Sequence, residues 1–81
     1  MKALDVAKII CERSNYTLSN LILHKILYLI NLEYVGLNNK SLIDDECFEA
    51  WDYGPVISSL YHKFKIFGSS NIRRVFLKMI V

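Results

Sequence analysis

Residues 48–67 read Phe48-Glu49-Ala50-Trp51-Asp52-Tyr53-Gly54-Pro55-Val56-Ile57-Ser58-Ser59-Leu60-Tyr61-His62-Lys63-Phe64-Lys65-Ile66-Phe67. This order predicts a short extended segment that turns sharply into a helix. Phe48, Ala50, Trp51 and Tyr53 carry apolar bulk into a Gly54-Pro55 corner. Proline fixes φ near −65° and has no N–H, so Pro55 suits the first position of a helix, and the residue before it is pushed away from helical geometry. Gly54 tolerates whatever φ that requires. Downstream, Val56, Ile57, Leu60, Tyr61, Phe64 and Phe67 recur at helical spacing opposite Ser58, Ser59, His62, Lys63 and Lys65. The spacing predicts an amphipathic helix of about three turns, ended by Gly68.

Upstream, Ala3, Val6, Ala7 and Ile10 fall on one helical face, widened by Leu4, Ile9 and Cys11, with Asp5, Lys8 and Glu12 opposite. A first helix from Ala3 to about Arg13 is expected, broken by Ser14-Asn15. Thr17 to Asn20 then offers several N-cap candidates. From Asn20 to about Val35 the chain is apolar on nearly every side, the mark of a central helix packed by several neighbours. Gly36 and Asn38-Asn39 are expected to end it. Leu42-Ile43 leads through Asp44-Asp45-Glu46 to the Trp51 segment. After a Ser69-Ser70-Asn71 turn, periodicity leaves residues 72–81 open between strand and helix. The expected fold is mainly α: a small domain of about three helices around a central apolar helix, with an extended segment before the Gly-Pro corner and a C-terminal strand as an option. It is read as a single domain over residues 1–81.

A chain of 81 residues buries a modest share of its surface, yet 53% of these residues are hydrophobic and 12% aromatic. The surplus points to a cover from outside: a second copy, a partner, or a missing remainder of the chain. The formal charge is only +2, but residues 41–52 hold five acids and no base, whereas residues 53–81 hold Lys63, Lys65, Arg73, Arg74, Lys78 and no acid. Two weakly attracting solvated faces are the plain reading, and a basic arm for an acidic partner the sharper one. Cys11 and Cys47 have no metal-ligand spacing, so buried free thiols are expected and no metal or cofactor is implied. Asp5 and Lys8 interrupt what a signal peptide would need, and polar residues interrupt any membrane span. A cytoplasmic protein is expected, with the sequons at Asn15 and Asn39 as chance matches.

The pieces Leu4-Asp5-Val6-Ala7, Leu21-x-Leu23-x-Lys25-Ile26-Leu27-Tyr28 and Glu49-Ala50-Trp51-x-Tyr53-Gly54-Pro55-Val56, in that order, resemble the Panacea domain. This is the family of SocA-like antitoxins and phage-associated GepA-type proteins. The resemblance covers about residues 3–68, and its most specific part is Trp-x-Tyr-Gly-Pro-Val. It implies a mainly helical, bacterial or phage-borne domain that neutralises a cognate toxin encoded beside it by direct binding, in some members while passing it to a protease. His24 stands where relatives commonly have glutamine. Relatives also continue for several helices past the Gly68 region, so the chain reads as a C-terminally shortened member, and a remnant without function is one reading of it.

Within that frame, the candidate partner-binding residues are Lys25, Tyr28, Trp51, Tyr53, Gly54, Pro55 and Tyr61. Trp51 and Tyr53 suit interface anchors, with packing over the second helix as the competing role. Lys25 and His24 with Tyr28 one turn on suggest a polar seam, against which stands a snorkelling lysine. The free N–H groups after Pro55 would attract an anion unless Ser58 or Ser59 bonds to them. Cys11 with His24, or Cys47 with His62, would be needed for nucleophilic chemistry, but nothing in the sequence brings either pair together, and no enzyme is expected. The basic residues near Phe64, Phe67 and Phe76 suggest nucleic acid weakly, since no reading module accompanies them. The expectation is an antitoxin-like protein-binding module, with a DNA-binding autorepressor as the alternative.

Overall fold

A computed structural model describes residues 1–80. Four helices and one hairpin follow in the order α1 (Ala3–Arg13), α2 (Asn20–Asn38), β1 (Glu49–Trp51), β2 (Gly54–Val56), α3 (Ser58–Phe64) and α4 (Arg74–Met79), with a single 3₁₀ turn (Lys65–Phe67) after α3. The fold is mainly α, as expected, with one helix more than the three foreseen. The optional C-terminal strand is absent among the described residues, because residues 74–79 are helical.

α1 buries the stripe its sequence spaces for that purpose: Ala3, Val6, Ala7, Ile10 and Cys11. Its N-terminus is held from a distance. The Ala3 N–H donates to Asp45 Oδ1 at 2.9 Å, the role an N-cap carboxylate plays at a helix start. Asp44 accepts from the terminal amine at 3.2 Å, the one ion pair among the described residues. Asp44 and Asp45 of the acidic block therefore serve the N-terminus, and no acid of the block pairs with the C-terminal bases among the described residues. Asn15 and Tyr16, both at positive φ, turn the chain out of α1, and Ser19 caps α2 by accepting from the Ile22 N–H.

α2 is longer than the sequence suggested. Gly36 lies inside it, and Asn39, in left-handed geometry at φ 56°, ends it. It packs against α1, β2 and α3, but its buried residues, Asn20, Leu23, His24 and Leu27, all belong to its first half. Ile22, Leu29, Ile30, Leu32, Val35 and Leu37 are exposed. The expected many-sided packing is thus one-sided: the described chain supplies no element to cover the rest. Asn31 ties the following loop back to the helix, its Oδ1 accepting from Ser41 Oγ, Leu42 N and Ile43 N at 3.0, 2.9 and 3.1 Å.

The stretch at residues 48–67 departs from expectation at its corner. Pro55 does not start a helix. It stands in β2 opposite Ala50, and the hairpin closes on the Trp51–Gly54 pair. In a two-stranded ribbon each strand has an open edge, where a missing N–H is tolerated. Helix α3 starts only at Ser58, with Val56 and Ile57 buried just ahead of it. Gly68 ends the segment as expected, at φ 55°. Gly54 has φ 120°, which side-chain-bearing residues rarely adopt, although an added Cβ would meet nothing within 4 Å. Gly54→Ala is therefore expected to destabilise by about 1–3 kcal/mol through backbone torsion alone. Urea denaturation of the two proteins measures it.

The core is one cluster in which Phe64, Leu23, Leu27, Ile57, Leu60 and Ile72 are fully buried. Residues 70–72 close against the segment before α2 through the Ile72 N–H, which donates to Leu18 O at 2.8 Å. Lys8 Nζ donates to Ile80 O at 3.0 Å, fixing the end of α4 to α1.

Candidate functional site

Of the seven residues singled out by sequence, five come together at the hairpin. Trp51 ends β1, Gly54 and Pro55 start β2, Tyr53 lies in the turn between them, and Tyr61 projects from α3 into the same corner. Tyr61 is the hub: its ring centroid is 5.1 Å from that of Trp51 in an edge-on contact, and 5.7 Å from that of Tyr53 in a stacked one. Trp51 and Tyr53 meet edge-on at 5.9 Å. His62 flanks Trp51 at 5.9 Å. Such contacts fix ring orientation beyond what area burial does. Trp51 is also steered by its indole N–H, which donates to Glu49 Oε1 at 3.0 Å, two residues back on the same strand face. Trp51 and Tyr61 are half-buried, and Tyr53 is 43% exposed. The corner thus presents ordered aromatic surface to solvent.

Two polar side chains in the core position it. Asn20 and His24, one turn apart on α2, are the buried polar residues of the described chain. Asn20 Nδ2 donates to Tyr61 O at 3.0 Å. His24 Nδ1 lies 2.9 Å from Asn20 O and its Nε2 lies 3.3 Å from Ile57 O. The His24 ring also meets the Tyr61 ring edge-on at 5.9 Å. The Asn20 bond thereby ties Tyr61 to α2, and the neutral His24 ring, with a single N–H, donates to one of its two carbonyls. The signal was present in the sequence as two polar residues four apart in an apolar helix.

Burial pushes the His24 imidazole below its ordinary value near 6.5, against the pull of the two carbonyls. The folded state therefore favours neutral His24. Its contribution to stability is fully present above the unfolded pKa and is lost as pH falls through the lower folded one. Stability is expected to fall on acidification below about pH 6.5, and less so in His24→Gln, whose amide does not titrate. Urea midpoints of both proteins at pH 7 and pH 5 give the comparison.

The polar seam of His24, Lys25 and Tyr28 does not form. His24 is buried, Lys25 is exposed without a hydrogen bond or ion pair to any described residue, and Tyr28 packs edge-on at 5.3 Å against Phe48, the residue before β1. Nor does the start of α3 offer a free anion site, since Glu46 lies there and accepts from the Ser59 hydroxyl. Cys11 is buried as expected, and burial pushes its thiol up to about 11. The ring nitrogens of His24 meet the backbone oxygens of Asn20 and Ile57, not the Cys11 thiol. Cys47 is exposed, contrary to expectation, because it lies in the loop before β1 and outside the core. The Tyr61 hydroxyl beside it, then its own desolvation, then nearby charge push the Tyr53 phenol up to about 12. No helix among the described residues is long and apolar enough to cross a membrane.

No curated protein and no solved structure matches the chain significantly. The sequence profile of antitoxin SocA-like, Panacea domain proteins matches residues 23–77, leaving out α1 and reaching into α4. That span takes in the aromatic corner and most of the elements that hold it, and on it the chain belongs to the antitoxin SocA-like, Panacea domain family.

Proposed function

We propose that the chain is an antitoxin-like binding module that neutralises a toxin encoded beside it by direct contact, and that the contact is made by Trp51, Tyr53, Gly54, Pro55 and Tyr61. The observation that carries this reading is the exposed aromatic corner itself, ordered around Tyr61 and braced from the core by Asn20 and His24. Rigid aromatic groups lose little entropy on binding and dominate interface energetics. Family membership supplies the class of partner. The module acts in the cytoplasm without catalysis or cofactor. Where a protease takes part, the corner holds the toxin while another surface meets the protease.

The adjacent reading frame provides the test. Its product, expressed alone, is expected to arrest growth. Co-expression with this chain is expected to restore growth, and the two proteins are expected to co-purify. Restored growth with lower toxin transcript and no co-purification would point to repression instead, and an adjacent product without toxicity would remove the reading.

A further inference from the structure

We propose that the outer face of α2 pairs antiparallel with the same face of a second copy of this chain, about a twofold axis level with Leu29. This goes beyond the toxin contact and uses a different surface. Ile22, Leu29 and Leu32 are exposed along that face, Leu29 by 63%, with half-buried Ile26 beside them and Leu37, 79% exposed, at its end. Positions 22, 25, 29, 32 and 36 alternate three and four apart, the spacing of a helix-pairing seam. At the end of the seam, Gly36 has no side chain to hold another backbone away.

Charge selects the occupant. In all of α2 only two residues are charged, Lys25 and Glu33, and both lie on this exposed side. Neither pairs with any described residue. They stand four residues to either side of Leu29, about 6 Å along the axis in each direction. A twofold-related antiparallel copy therefore brings each Lys25 level with the other copy's Glu33, twice over. A parallel copy would set lysine against lysine and glutamate against glutamate, which is repulsive. Self-complementarity of this kind is what an isologous interface requires. His24, which braces the aromatic corner, lies about 140° around the helix from Leu29, so pairing leaves the corner open.

Sedimentation velocity of the chain, from low micromolar to several hundred micromolar, tests the proposal. A reversible monomer–dimer equilibrium is expected. Leu29→Glu, at an exposed position, is expected to be monomeric with an unchanged circular dichroism spectrum. Lys25→Glu and Glu33→Lys are each expected to raise the dissociation constant at least about tenfold. Mixing these two variants is expected to restore dimers, because opposite charges then face each other at both ends. A chain that stays monomeric at every concentration would overturn the proposal. So would a dimer indifferent to Leu29→Glu, or folded charge variants that fail to pair when mixed.

Discussion

Phe64→Ala is expected to remove a large part of the chain's stability. Phe64 is the largest fully buried side chain, at 0% exposure, and it meets Phe76 of α4 edge-on at 6.0 Å. Removing a ring from such a site forfeits both its transfer from water and the contacts around the cavity, about 3–5 kcal/mol. A domain of this length is stabilised by roughly 4–12 kcal/mol in total, so the loss is a large part of the whole. Thermal denaturation followed by circular dichroism is expected to show a melting temperature lowered by tens of degrees, or no cooperative transition. Ile66→Ala, two residues away but 77% exposed, is expected to change stability by no more than about 0.5 kcal/mol. Equal effects of the two substitutions would mean that the core is arranged differently.

The second large effect is on binding. Trp51→Ala is expected to weaken the complex with the toxin by about 2 kcal/mol or more, roughly thirtyfold, while the isolated chain stays folded. Trp51 is half-buried against Tyr53, Tyr61 and His62 and lies outside the main core cluster, so truncating it strips the corner more than the fold. Tyr61 is less clean as a test, because it also contacts His24. Val75→Ala, on the exposed side of α4, is the matched control and is expected to leave affinity unchanged. Calorimetric titration of the toxin separates these outcomes.

How much of this was legible in the sequence differs by element, for physical reasons. α1 was readable in its extent and in its central stripe of small and branched apolar residues, although Ile9, read as widening that face, is exposed. Gly68 was readable because the chain there needs a φ that other residues avoid. Pro55 was not, since a proline suits the first turn of a helix and the open edge of a strand equally well. The pairing of Glu49 with Val56 decided it, and that is a contact between segments.

α2 misled for a related reason. Apolar residues on every side state what a helix would bury, not whether a neighbour exists to bury it. The acidic block gave only a charge. That Asp45 would serve the first turn of α1, 42 residues earlier in the chain, depends on the tertiary fold. Residues 74–79 form under two turns of helix, too few for a period to show. At the candidate site, the aromatic residues were visible but their convergence on Tyr61 was not, and the brace showed only as Asn20 and His24 four apart in an apolar helix, with no sign of what they would bond.

The central claim is that the aromatic corner meets the toxin, and Trp51 is the chain's only tryptophan. Labelling the chain with 5-fluorotryptophan places a single ¹⁹F probe at that point, silent to any tryptophan of the toxin. Adding purified toxin to stoichiometry is expected to shift and broaden this resonance while protecting it from solvent-induced isotope effects. A resonance that keeps its position and solvent sensitivity, in a sample where sedimentation shows the toxin bound, would contradict the claim.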